Sequence, residues 1–196
     1  MGPAGEANHA RVFSRDDQRQ SGSRILSGSS LQIPDPGTAL ARRRRRSMIS
    51  PEVIRRFPLS AGLSADQLTQ LAMAAEELVV EEGHWFFHQD QELHSMYLVL
   101  EGHVGIVVEL PRQEVITSTV GPGDVFGWSG MVPPHETTAG ARAMSACRVV
   151  RFDCRRIRQA FETDCRFGYV VMERMAQIVR QRMRDLRTEA LPAYVS

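Results

Sequence analysis

From Val79 to Asp153 apolar and polar positions alternate with a period of two, and turn residues interrupt the alternation every ten or so positions. That rhythm predicts short strands closing into a small β-barrel or jelly roll. The strands expected are Leu78 to Val80, His84 to His88, Met96 to Leu100, Val104 to Val108, Val115 to Val120, Thr138 to Ala143 and Val149 to Phe152. On either side the period lengthens. Leu68, Leu71, Ala72 and Ala75 recur at three and four, an apolar helical stripe. Ser50 before Pro51, and Ser64 three positions ahead of Gln67, supply the start signals of two short helices. After the barrel, Ile157 and Phe161 share one face of a short helix. A longer helix is predicted from about Asp164 to Thr188, with Met172, Met175, Val179, Met183 and Leu186 as its apolar seam.

Composition sharpens this outline. Residues 1–47 are rich in Gly, Ser, Pro, Arg and Asp without a sustained period, which predicts a disordered tail. Its run Arg42 to Arg46 reads as a solvated segment or as a tether for nucleic acid or anionic lipid. Met48 is an alternative native start. The remaining chain divides into a barrel with entry helices at 48–163, a helix at 164–191 and a short tail at 192–196. A net charge of +1 implies no global attraction to nucleic acid. All 24 basic residues are Arg, which a GC-rich genome explains more simply than function does. Three cysteines without a CxxC pair argue against a disulfide framework, a structural zinc site or an iron–sulfur sensor, and fit a reducing cytoplasm. No apolar run reaches the roughly 18 residues that a membrane span needs.

The densest chemistry lies in Gly121 to Arg142, GPGDVFGWSGMVPPHETTAGAR. Its glycines free the backbone to turn N–H groups toward an anion, and a helical turn opening at Gly127 aims more of them at the same point. The stretch resembles the phosphate-binding cassette of the cyclic-nucleotide-binding domain, as in the Crp/Fnr regulators. EEGHWFFHQD and MYLVLEGHVGIVV resemble that family's strand motifs, and the entry helices resemble its own. The resemblance implies a jelly-roll effector domain that is regulatory rather than catalytic. It also implies a ligand site at Phe126, Gly127, Trp128, Ser129, Thr137 and Thr138, with Leu186 and Arg187 in place of the helix's base-contacting pair. The family's ribose-binding Glu and phosphate-binding Arg are replaced here by Trp128 and Thr137. The ligand is then cyclic AMP, cyclic GMP or another small anion, or the pocket is filled and the domain serves dimerisation or protein docking. Odd spacing along a strand points Arg142 away from the face of Thr137, and an inward Glu136 would repel a phosphate.

The long helix resembles the family's dimerisation helix, so a homodimer through Met172, Met175, Val179, Met183 and Leu186 is expected. Packing back onto the barrel would produce much the same stripe. Only five residues follow Leu191, too few for the winged helix-turn-helix of Crp-like activators, so an unknown protein partner is expected instead. Other chemistry finds little support. His84, His88, His94 and His103 lack the His-x-His spacing of cupin metal sites. Ser129 imitates a nucleophile elbow without the strand–helix context, and Cys147 alternates with apolar residues as a small buried hydrophobe would.

Overall fold

The computed structural model describes residues 12–14 and 47–190. The Arg42–Arg46 run and the 192–196 tail lie outside the described residues, as does all of the expected N-terminal tail except 12–14 and Ser47. The strands are β1 (Val12–Ser14), β2 (Ser47–Met48), β3 (Ala75–Val80), β4 (Trp85–Phe87), β5 (Ser95–Glu101), β6 (Val104–Leu110), β7 (Gln113–Val120), β8 (Val125–Phe126), β9 (Gly140–Ala143) and β10 (Cys147–Asp153). They form two antiparallel five-stranded sheets among the described residues, ordered β1-β7-β6-β9-β4 and β2-β3-β10-β5-β8. The jelly-roll expectation holds. Helices α1 (Pro51–Arg55) and α2 (Ala65–Met73) precede the barrel, joined through a 3-10 turn at Pro58–Ser60. Helices α3 (Cys154–Thr163) and α4 (Cys165–Ala190) follow it.

The start signals act as their chemistry requires. Ser50 caps α1 ahead of Pro51. At α2, Ser64 Oγ accepts from the Gln67 N–H at 3.2 Å, while Gln67 Oε1 accepts from the Ser64 N–H at 3.1 Å. One expectation fails here: Ala75 does not extend the α2 stripe. The helix ends at Met73, and Ala75 opens β3 opposite Phe152.

Two cores explain the alternation. Tyr97 and Val99 of β5 face the space between the sheets, with Phe126, Val104, Val120 and Val149. Met96 and Leu98 face the helices, where Ile54, Leu68, Phe152, Ile157, Phe167 and Val171 close a second core. The second sheet is thus covered on both faces; β5 reads as a near-continuous apolar run, while Arg148 and Arg151 of β10 are held in ion pairs with Glu77, Glu101 and Glu76. Gly102 carries the chain from β5 in one sheet to β6 in the other. Its φ is +85°, and a Cβ there would sit 2.3 Å from the Ala146 carbonyl oxygen, so no larger residue fits without moving backbone.

Two strands depart from the sequence reading. The two-residue β8 pairs with Tyr97 and Leu98 but is too short to show a period. The small-residue strand begins at Gly140, not at Thr138, because Thr137 is bonded to another loop. In addition, β1 pairs with β7 from within the stretch expected to lack structure.

The α4 stripe is divided between two surroundings. Phe167, Val171 and Met175 are buried against the barrel, while Met172, Met183 and Leu186 remain exposed. The fold-back alternative describes the first turns of this helix, and the rest of the seam stands open. Met175, expected in a dimer seam, is a core residue.

Candidate functional site

The cassette turn runs from β8 through a 3-10 turn at Trp128–Gly130. Gly127 adopts φ 76°, and a Cβ there would press within 3.1 Å of the Ser95 carbonyl and 3.2 Å of the Phe87 ring, so the turn lies flush on the barrel. The turn is fastened at its far end, where Arg158 of α3 donates to the Gly130 carbonyl. Beside it, burial pushes the Cys154 thiol up to about 12. His135 Nδ1 lies 3.3 Å from the Ser129 carbonyl oxygen.

The structure separates the residues assigned to the site. Phe126 is fully buried and stacks on Tyr97 at 4.9 Å between ring centroids, facing the space between the sheets. Thr137 is 2% exposed, and its hydroxyl donates to the His88 carbonyl at 2.7 Å while accepting the Gln91 N–H at 2.9 Å. Its backbone bonds Asp90 and Gln91 as well. The Thr137 side chain, expected at the ligand, therefore ties the cassette to the 88–91 loop. Thr138 is exposed, and so is Glu136, whose backbone bridges Glu92. Arg142 has partners other than Thr137: it pairs with Glu114 at 2.8 Å and lies over the Trp85 ring at 5.1 Å, and because Thr137 lies outside β9 the strand-spacing argument does not apply to the two.

Trp128 is what the cassette presents toward α4. It is half-buried against the helix core, and the Arg182 guanidinium sits 5.9 Å from its ring centroid. Arg182 also donates to Ser118 Oγ of β7 at 3.4 Å, bridging strand, cassette and helix. Arg182 is a site residue that the apolar seam of the helix does not single out. Its contact with Trp128 spans distant parts of the chain, and no periodicity encodes it.

Between the Trp128 turn and α4 lies a trough of about 620 Å³. Its walls are Trp128, Val132, Met172, Ala176, Val179 and Met183 over Met175, and its remaining lining residues are Arg180, Arg184 and Arg187. Leu186 faces a different, smaller cavity of about 160 Å³ with Ser118, Thr119, Asp124, Arg182 and Asp185. The two helix residues assigned to the site are thus separated, Arg187 in the trough and Leu186 outside it.

The histidines find separate partners. His88 Nδ1 lies 3.2 Å from Glu109, and His94 Nε2 lies 2.6 Å from Glu92. Among the described residues no group of three or more His, Cys, Asp or Glu is placed to hold a metal ion. Likewise no helix among them is long and apolar enough to cross a membrane.

A family model described as a cyclic nucleotide-binding domain matches residues 77–164. A Geobacter metallireducens structure named for cyclic nucleotide binding is 32% identical, with a TM-score of 0.64, over 69% of this chain and 99% of that one. The sensor domain of the transcriptional regulator DNR from Pseudomonas aeruginosa is 20% identical, with a TM-score of 0.56 over 68% of this chain and 90% of that one, a likeness of fold. An NTE family protein of Mycobacterium tuberculosis is 27% identical over 158 residues, 81% of this chain. The chain spans 26% of that relative's length.

Proposed function

Because the chain belongs to the cyclic nucleotide-binding domain family, we propose that it is a non-catalytic regulatory sensor whose ligand site has shifted from the cassette side chains to the trough beneath α4. One observation carries this reading: Trp128 of the cassette turn meets Arg182 of α4. Anything entering the trough touches turn and helix together and alters how α4 lies on the barrel. The output is then the position of α4, read by a partner. The cassette itself is poorly equipped for a cyclic nucleotide. Replacing its two charged contacts by Trp128 and Thr137 removes about 3–6 kcal/mol of charge-assisted bonding, or roughly two to four decades of affinity.

The test is a melting-temperature and Trp-emission survey of the full chain against cyclic AMP, cyclic GMP and a panel of anionic metabolites, each at millimolar concentration. At least one compound is expected to shift both signals saturably, and the shift should be lost in Met183→Glu. A panel that moves neither signal overturns the sensor reading.

A second reading is favoured by the exposure of Met172 (37%), Met183 (51%) and Leu186 (40%) along one helix. Such a stripe also suits a second copy of α4, making the domain a dimerisation module. In that case the association state and Trp128 emission depend on protein concentration and not on any small molecule.

A further inference from the structure

The trough has a polarity along its length. Its apolar residues begin at Met172 and Ala176, whereas its three cations, Arg180, Arg184 and Arg187, all lie toward the C-terminal end of the same stretch. None of the residues lining it is acidic. Met172 to Arg187 spans about 22 Å at 1.5 Å per residue. We propose that this trough binds a long-chain carboxylate, with its alkyl chain between the Trp128 ring and Met172, Val179 and Met183 and its headgroup at Arg184 and Arg187. The proposal rests on the reading of the trough as the ligand site and names the class of ligand.

Charge complementarity selects this occupant over the others. A cyclic nucleotide carries a ribose and a base that need hydrogen-bonding partners, and apart from its arginines the trough offers only aliphatic, thioether and indole surface. A second α4 laid across the same face would bring two sets of arginines together with no acidic group among the lining residues, a like-charge arrangement that costs affinity. A single-chain anion meets neither objection. Its tail removes apolar side chains from water, and its one charge faces three cations.

Trp128 lines the trough, so it reports on occupancy directly. In the full chain carrying Trp85→Phe, sodium laurate added below its micellar concentration should shift Trp128 emission to the blue saturably. Calorimetry of the unmodified chain should give one equivalent bound. Dodecyltrimethylammonium, with the same tail and the opposite charge, should do neither. Arg184→Gln with Arg187→Gln should weaken laurate binding about three- to thirtyfold while leaving the melting temperature of the free protein unchanged. Absence of saturable binding in both measurements, or equal binding of the cationic amphiphile, overturns the proposal. If laurate fails but a nucleotide or short metabolite shifts Trp128 emission saturably, the trough remains the ligand site and only the ligand class is wrong. If nothing shifts it and the emission follows protein concentration, both readings fall to the dimer.

Discussion

The Thr137 hydroxyl donates to the His88 carbonyl at 2.7 Å from a side chain that is 2% exposed. The same oxygen accepts the Gln91 N–H at 2.9 Å. This side chain holds the 88–91 loop against the cassette turn.

Thr137→Val keeps the shape and removes the hydroxyl. It should lower stability by about 1–3 kcal/mol, because the His88 carbonyl and Gln91 N–H lose a buried partner. Thr137→Ser should recover most of the loss. Denaturant titration reads the difference. A Val variant of unchanged stability but altered ligand affinity would return Thr137 to the ligand site.

Asp164 predicts an acid transition. One carboxylate oxygen accepts from Gln67 Nε2 at 2.9 Å and the other from the Phe167 N–H at 2.8 Å. These bonds, the Gln67 bond first, hold its pKa below the usual 3.8. A depressed folded pKa gives stability that is complete above the unfolded value and is lost as pH falls through the folded one. Melting temperature should therefore drop below about pH 3.8, and Asp164→Asn should flatten that part of the profile. Identical acid limbs for the two proteins would remove Asp164 from the account.

The cysteines predict a reactivity order. Cys165 is exposed, whereas Cys147 and Cys154 are buried. Burial raises the Cys154 pKa from 9.0 to about 12, so the native thiol stays protonated in mildly alkaline buffer. Iodoacetamide should modify Cys165 promptly and the other two only as fast as the protein opens, followed by intact mass. The raised folded pKa adds a second consequence: stability should decline as pH climbs above 9, where the unfolded thiol ionises first. Rapid modification of Cys154 in the native protein would contradict its burial.

Much of the scaffold was legible because its causes are local. The Ser64–Gln67 capping box lies within one helical turn. The strands at Val104 to Val108 and Val149 to Phe152 are short runs rich in β-branched and apolar residues, which carry their own signal. Where the cause is remote, legibility ends. The glycines around Val125–Phe126 mark a strand running into a turn, but nothing local names the partners of β8, Tyr97 and Leu98. Thr137 looks like the start of a small-residue strand until the 88–91 loop is seen to hold it. The candidate site follows the same rule. Trp128 stands out as a substitution within a cassette, but its neighbour Arg182 is brought there only by the packing of α4.

The bond from Gln67 to Asp164 joins the entry helix to the cap of the last helix. Between them, β3 pairs on one edge with the two-residue β2 and on the other, along its whole length, with β10. The apolar face of α2, with Leu68 and Leu71, is covered by a core that includes Ile157, Phe167 and Val171. During synthesis these early helices must therefore wait, uncovered, until almost the whole barrel has left the ribosome. The closing event of folding is the arrival of α3 and α4, a long-range closure of the kind that slows assembly and lengthens exposure to aggregation or to chaperones.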